Sequence, residues 1–214
     1  MSIVRVRQHV NPLSQKYQTP IQPPNWSQIY ASPQQPLLLD IGCARGSFLL
    51  EMAAQQPDWN FLGLEIREPL VIRANDACQE AGLKNLHYLF CNANNALHPL
   101  LSSLPVGVFQ KVAVQFPDPW FKKRHQKRRV IQPEVVGAIA QFLIPSGEVF
   151  LQSDVEEVLL EMGDRFHEHP IFQRETGIPE QTPNPFPVMT EREIFTLEQD
   201  KPVYRMRFRK KAEG

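Results

Sequence analysis

LLLDIGCARGSFLLEMAAQQ, residues 37–56, decides the fold. The first five residues are a short apolar run that ends on an acid, Asp40, and enters a glycine-bearing turn, Gly42 to Gly46. From Ser47 to Gln56 the apolar residues recur at helical spacing, and Pro57 closes the run. A buried strand feeding through a glycine turn into a helix is the opening half of a βα unit.

The same alternation continues outward. NFLGLEI (60–66) reads as a second buried strand, and EPLVIRANDACQEAG (68–82) as a helix that starts with acid and proline and stops at Gly82. NLHYLFC (85–91) and FQKVAVQF (109–116) are two further strands. PEVVGAIAQFLI (133–144) is a helix with Pro133 in its first turn; EVFLQSD is a fifth strand, and VEEVLLEMGDRFHEH a further helix. Strands alternating with helices predict an α/β fold, a mostly parallel doubly wound sheet. Residues 173–189, with four prolines, read as a long loop. EREIFTLEQDKPVYRMRFRKK has two β-rich runs around a polar turn, which predicts a C-terminal antiparallel hairpin.

The totals set limits. A length of 214 suits one sizeable domain, and a hydrophobic fraction of 42% can fill its core. No apolar run approaches the roughly 18 residues that a membrane span needs, and the N-terminus carries no apolar block of a secretory signal. Cys43, Cys78 and Cys91 lie far apart, an odd count without CxxC spacing, which fits reduced thiols in a cytoplasm rather than disulfides or zinc. Residues 1–36 hold six prolines and no sustained period, so they read as an extended arm with the composition of a flexible segment; residues 37–214 then form a single domain. His167 and His169 look like an ordinary helix end, with no metal spacing.

In such a sheet, ligands bind outside the carboxyl ends of the strands. Collected there are Asp40, Gly42 and Gly46 after the first strand, Glu65 after the second, Asn92 and Ala93 after the third, FPDPW after the fourth and Asp154 after the fifth. A carboxylate at the position of Glu65 can accept both hydroxyls of a ribose. Asn92 offers one donor and one acceptor, enough for the edge of an adenine. Two ligands compete: a dinucleotide and S-adenosylmethionine. The dinucleotide fingerprint needs G-x-G-x-x-G, whereas the turn here spells G-x-A-x-G with Ser47 following. Asp40 would repel a pyrophosphate but suits the ammonium and sulfonium of S-adenosylmethionine.

QFPDPWFKKRHQKRR (115–129) marks a second site in a chain with 23 basic and 23 acidic residues. Pro117 and Pro119 remove two backbone donors and fix φ on either side of Asp118. Trp120 can stack on a base. Lys122, Lys123, Arg124, Lys127, Arg128 and Arg129 follow at the lip of the same pocket, as phosphate contacts would require. Arg205, Arg207 and Arg209 on one strand face, with Arg5 and Arg7 on the arm, extend the expected footprint to a folded polynucleotide.

Together these motifs resemble the bacterial tRNA 7-methylguanosine methyltransferases over most of residues 37–209, most specifically in FPDPWFKKRHQKRR followed by IQPE, and in TERE followed by KPVYRMRFRK. The resemblance implies a Rossmann-like class I S-adenosylmethionine-dependent methyltransferase fold and methylation of N7 of the variable-loop guanosine in tRNA. It implies cofactor contacts from Asp40, Glu65, Asn92 and Asp118, and substrate contacts from Lys122, Asp154 and the segment 190–193 with Thr190 and Glu193. The expected product is S-adenosylhomocysteine, and no obligate protein partner is evident, so the chain reads as a monomer or homodimer. Guanine N7 has a free lone pair and no proton to lose. Asp118 is therefore expected to stabilise and position rather than act as a general base, with Asp154 or Glu193 sharing the base edge. A methyltransferase acting on an exocyclic base nitrogen, a non-catalytic RNA-binding module and, third, a nucleotide-dependent dehydrogenase stay open at this point.

Overall fold

The order of the seven strands carries the architecture. A computed structural model describes residues 10–19, 21–175 and 177–212. Five strands, β1 (Leu37–Ile41), β2 (Asn60–Glu65), β3 (Leu86–Phe90), β4 (Phe109–Gln115) and β5 (Glu148–Ser153), pair in parallel. β6 (Phe172–Arg174) and β7 (Tyr204–Lys210) complete one sheet in the order β3-β2-β1-β4-β5-β7-β6, with β7 antiparallel to both neighbours.

The helices are α1 (Trp26–Ile29), α2 (Ser47–Gln55), α3 (Glu68–Glu80), α4 (Ala93–Ser102), α5 (Pro133–Phe142), α6 (Glu156–His167) and α7 (Glu191–Leu197). They cover both faces, so the central strands need apolar side chains on each, and β1 and β2 are buried throughout. Alternation sorts the residues. Leu37, Leu39 and Ile41 join the core under α4, α5 and α6, while Leu38 joins the opposite core under α2 and α3. Chain order reverses between β1 and β4, and the crevice at their carboxyl ends is where this topology receives ligands.

The sequence expectations for β1 to β5 and for the helices after β1, β2, β4 and β5 agree with these elements to within a few residues at each end. Three points differ. Packing reaches back before residue 37: Trp26 and Tyr30 are buried, their rings stack at 5.8 Å, and Tyr30 Oη donates to the Phe61 carbonyl at 3.0 Å. α4 received no sequence assignment, because Pro99 and two asparagines interrupt an apolar period that nevertheless buries Ala96, Leu97, Leu100 and Leu101. The first run of the expected C-terminal hairpin is the helix α7, and the antiparallel pair is β6 with β7. TERE starts this helix, because the Thr190 hydroxyl accepts from Glu193 N at 3.1 Å. Arg5 and Arg7 lie outside the described residues.

Candidate active site

The turn after β1 is built on left-handed backbone. Gly42 and Gly46 have φ of +88° and +80°, and Ala44 between them has φ of 51°. A Cβ on Gly42 would meet nothing, so glycine is there for its conformation. Gly46 is different. The Tyr88 ring fills the space where its Cβ would stand, 2.6 Å away, and Tyr88 Oη donates to the Gly46 carbonyl at 2.6 Å. The same ring would lie 2.5 Å from a Cβ on Gly63 of β2. One aromatic from β3 therefore seats the turn against the sheet.

Asp40 sits at the end of β1, 4% exposed, with Oδ1 lacking any hydrogen-bond partner. Gln115 Nε2, at the end of β4, is also buried without a partner. Burial pushes the Asp40 carboxyl up to about 7; the Gln115 amide nearby favours the ion, and the Glu65 carboxylate opposes it. A buried acid that lines a cavity and keeps one oxygen without a partner suits a cation, which is what the ammonium or sulfonium of S-adenosylmethionine would supply.

Glu65, at the end of β2, is equally buried. It accepts from Ala44 N at 3.0 Å and from Arg67 N, Nε and Nη2 at 2.9 Å each. Arg67, which no sequence motif marks, is therefore part of the site. Asn92 lines the cavity as expected and has partners within the protein. Its Oδ1 accepts from Asn94 N at 3.2 Å, capping α4, and its Nδ2 donates to the Pro12 carbonyl at 3.1 Å. Val10 and Pro12 of the N-terminal segment line the cavity beside it, as does Ala93.

β4 runs into a strained turn. Phe116 and Trp120 have φ of 49° and 42°, a conformation that bulky L residues rarely adopt, on either side of Pro117, Asp118 and Pro119. Phe116 N donates to the Gln152 carbonyl at 2.8 Å, and Arg129 Nε donates to the Pro119 carbonyl at 2.8 Å. Asp118 is half-buried and lines one cavity of about 610 Å³ together with Asp40, Glu65 and Asn92.

The basic run is split by burial. Lys122, Lys123, Arg124 and Lys127 are exposed on or beside a 3-10 stretch, Lys123–Arg128. The Arg128 guanidinium lies 5.0 Å from the Trp120 ring centroid, and the His125 ring meets the same indole edge-on at 5.7 Å. His125 is held below its ordinary value, by lost hydration and then by Arg128, Arg124 and Lys122. Arg129 contradicts the expectation of a phosphate contact. It is 5% exposed and pairs with Glu161 and Glu157, so it fastens the turn from inside.

The helix α7 closes the far side. Glu191 accepts from Ser47 Oγ at 2.9 Å, and Arg192 pairs with Asp154. Asp154 and Thr190 line the cavity as expected, although the Thr190 hydroxyl also serves as the helix cap. Glu193 does not reach it. The residue is fully buried and accepts from Arg205, Gln152 and Asn184, at 2.7, 3.1 and 2.9 Å. The expected basic stripe on β7 is likewise corrected. Arg205 is engaged by Glu193, and Arg207 and Arg209 pair with Glu148 and Glu175, because β7 lies inside the sheet beside acidic neighbours.

Comparison with known proteins agrees with this geometry. A family described as "Putative methyltransferase" matches residues 34–206. The tRNA (guanine-N(7)-)-methyltransferase of Trichormus variabilis is 61% identical, covering 97% of this chain and 97% of its own. That of Nostoc sp. is 59% identical over 99% of this chain and 97% of its own. Among solved structures, a SAM-dependent methyltransferase from Aquifex aeolicus superposes with a TM-score of 0.55 at 12% identity, covering 82% of this chain and 84% of that one. The aminoglycoside resistance methyltransferase NpmB1 gives 0.52 at 15% identity, covering 84% and 89%. These two likenesses speak to the fold alone.

Proposed function

Because the chain belongs to the tRNA (guanine-N7)-methyltransferase family, we propose that it transfers the methyl group of S-adenosylmethionine to N7 of the variable-loop guanosine of tRNA, leaving S-adenosylhomocysteine. It does so as one methyltransferase domain working in the cytoplasm, where three buried free thiols stay reduced. Among the described residues no helix is long and apolar enough to cross a membrane.

The observation that carries the reading is convergence. A buried carboxylate with one oxygen unpartnered, Asp40, and a carboxylate fixed between two prolines, Asp118, share a cavity that Arg128 also lines, next in the chain to the exposed Lys122, Lys123, Arg124 and Lys127. The donor set fits the cofactor. Asp40 would meet its positive end, Glu65 its ribose, and the left-handed turn at Gly42 to Gly46 lets backbone approach it.

S-adenosylmethionine, when bound, supplies an electrophilic methyl on a sulfonium. Its transfer to N7 would pass the positive charge from sulfur to the purine, and that is the charge the cavity's carboxylates would have to meet. A carboxylate already in place lowers the cost of that charge, and Asp118 is held there before the RNA arrives. Asp154 stands across the cavity, suited to the guanine edge once Arg192 shifts. Lys122, Lys123, Arg124 and Arg128 grip phosphates while the base leaves its stack. His125 stays neutral on the lip among these cations.

The test is direct. Unmodified tRNA incubated with methyl-labelled cofactor is digested and the labelled nucleoside mapped. The reading requires 7-methylguanosine at one variable-loop position; label on an exocyclic amino group would replace it with the rival activity. Asp118→Ala should lower turnover by at least 100-fold while tRNA affinity changes little, and wild-type rates in that variant would remove Asp118 from its role.

A further inference from the structure

Glu65 is saturated. A carboxylate offers about four lone-pair sites, and four N–H groups point at this one. Two of them, Ala44 N and Arg67 N, are backbone and are fixed by the strand and its turn. The other two belong to the Arg67 guanidinium, Nε on Oε1 and Nη2 on Oε2, both at 2.9 Å. A ribose brings two hydroxyls and needs two acceptor positions. The count is the same, and the only donors that can step aside without unfolding the turn are those of the arginine side chain.

We infer that Arg67 occupies the ribose-accepting positions of Glu65 until the cofactor displaces it, and then carries its charge to the RNA side of the cavity, so that cofactor binding strengthens tRNA binding. This rests on the function proposed above and adds an order of events to it.

Three observations support the exchange. Arg67 is the residue just before α3, where the backbone is extended, and its side chain is 22% exposed, so the guanidinium has an exit. Asp118 also acts on its charge and lines the same cavity, so the guanidinium already lies on the side of the cavity that Asp118 shares. The exchange also conserves bonds at Glu65: two N–H donors leave and two O–H donors arrive. The net change falls on the cation, which moves from the cofactor end towards the mouth that polyanionic RNA must enter. By linkage, tRNA would tighten the cofactor to the same degree.

The full-length chain is titrated with S-adenosylhomocysteine by calorimetry, and with fluorescent tRNA at low and saturating S-adenosylhomocysteine. Wild type, Arg67→Met and Arg67→Lys are compared, with melting curves confirming that each is folded. In wild type, S-adenosylhomocysteine should tighten tRNA binding by about fivefold or more, the lower range of typical coupling. Arg67→Met should bind S-adenosylhomocysteine at least as tightly as wild type, because a competitor is gone, and its tRNA affinity should become indifferent to the ligand. Arg67→Lys keeps a movable charge and should keep coupling. The inference is overturned if Arg67→Met binds S-adenosylhomocysteine several-fold more weakly, which would make Arg67 a direct ligand or a permanent brace. Equal coupling in wild type and Arg67→Met, or none in wild type, overturns it as well. Should wild type bind no S-adenosylhomocysteine at all, the underlying function fails, and that outcome is distinct from the others.

Discussion

Cofactor affinity should depend on pH through Asp40. The carboxyl has one oxygen without a partner and is pushed up to about 7, first by burial and then by Glu65. Its neighbours in the cavity wall are Gln115 from β4, Cys43 from the turn and Glu65 with Arg67 from the end of β2; burial, with Asp40 and Glu65 nearby, drives the Cys43 thiol well up, so it stays neutral. A bound cation needs the ionised acid. With a free-state value of about 7, roughly one molecule in eleven is ionised at pH 6 and ten in eleven at pH 8. The apparent Kd for S-adenosylmethionine should therefore fall about tenfold from pH 6 to pH 8 and level off above. Calorimetry at pH 7 in buffers of different ionisation enthalpy should report release of about half a proton per cofactor bound. The sign for stability is the opposite. A carboxyl whose folded value is raised favours the folded chain below its unfolded value of about 4, and that contribution is lost as pH rises towards 7. The cofactor's stabilisation in a melting experiment should consequently grow with pH. Asp40→Asn should bind more weakly at pH 8 and show no slope. A wild-type Kd that is flat between pH 6 and pH 8, or a slope that survives in Asp40→Asn, would refute the role given to this carboxylate.

Two other outcomes follow from packing and charge. Gly46→Ala places a Cβ against the Tyr88 ring at a left-handed φ, and should cost about 2–4 kcal/mol, read as a fall of on the order of 10 °C in Tm; adding Tyr88→Leu should recover part of it. The two kinds of cation in residues 122–129 should separate kinetically. Arg129→Met removes a buried guanidinium shared by the Pro119 carbonyl, Glu157 and Glu161; Glu161 keeps Arg165 nearby, so the change should cost about 1–3 kcal/mol of stability and lower kcat, whereas Lys123→Ala with Lys127→Ala should raise KM for tRNA and flatten the salt dependence of log affinity by roughly 1.5.

Much of this was legible in the chain because the signals are local. An apolar run, an acid, a glycine turn and a helical period place β1, α2 and Asp40 without knowledge of anything distant. Asp118 was legible for the same reason, since two prolines fix a turn wherever they fall. What escaped depends on partners far along the sequence. Arg129 looks like its exposed neighbours until α6 brings Glu157 and Glu161 to it. Arg205 and Glu193 look like an RNA contact and a base reader until they meet each other, buried. Asn92 is claimed by a cap and by Pro12, 80 residues earlier. Arg67 carried no motif, and only the short distances to Glu65 disclose it. TERE carries a capping pattern, Thr190 with Glu193, but the β-rich composition after it masks the helix.

The turn that bears Asp118 has a further consequence. Its two left-handed aromatics, Phe116 and Trp120, are each unfavourable by roughly 1–2 kcal/mol for side chains of this kind, and the anchors that hold them, Gln152 and Arg129, lie outside the transfer chemistry. That cost is met once, during folding, rather than in every catalytic cycle. The Asp118 carboxylate is thus a stationary part of the cavity, and on the proposed function the distortion needed for each methyl transfer is left to the nucleic acid. Across transfer RNAs, differences in rate should then track how readily each one releases its guanosine, with the protein behaving as a constant background.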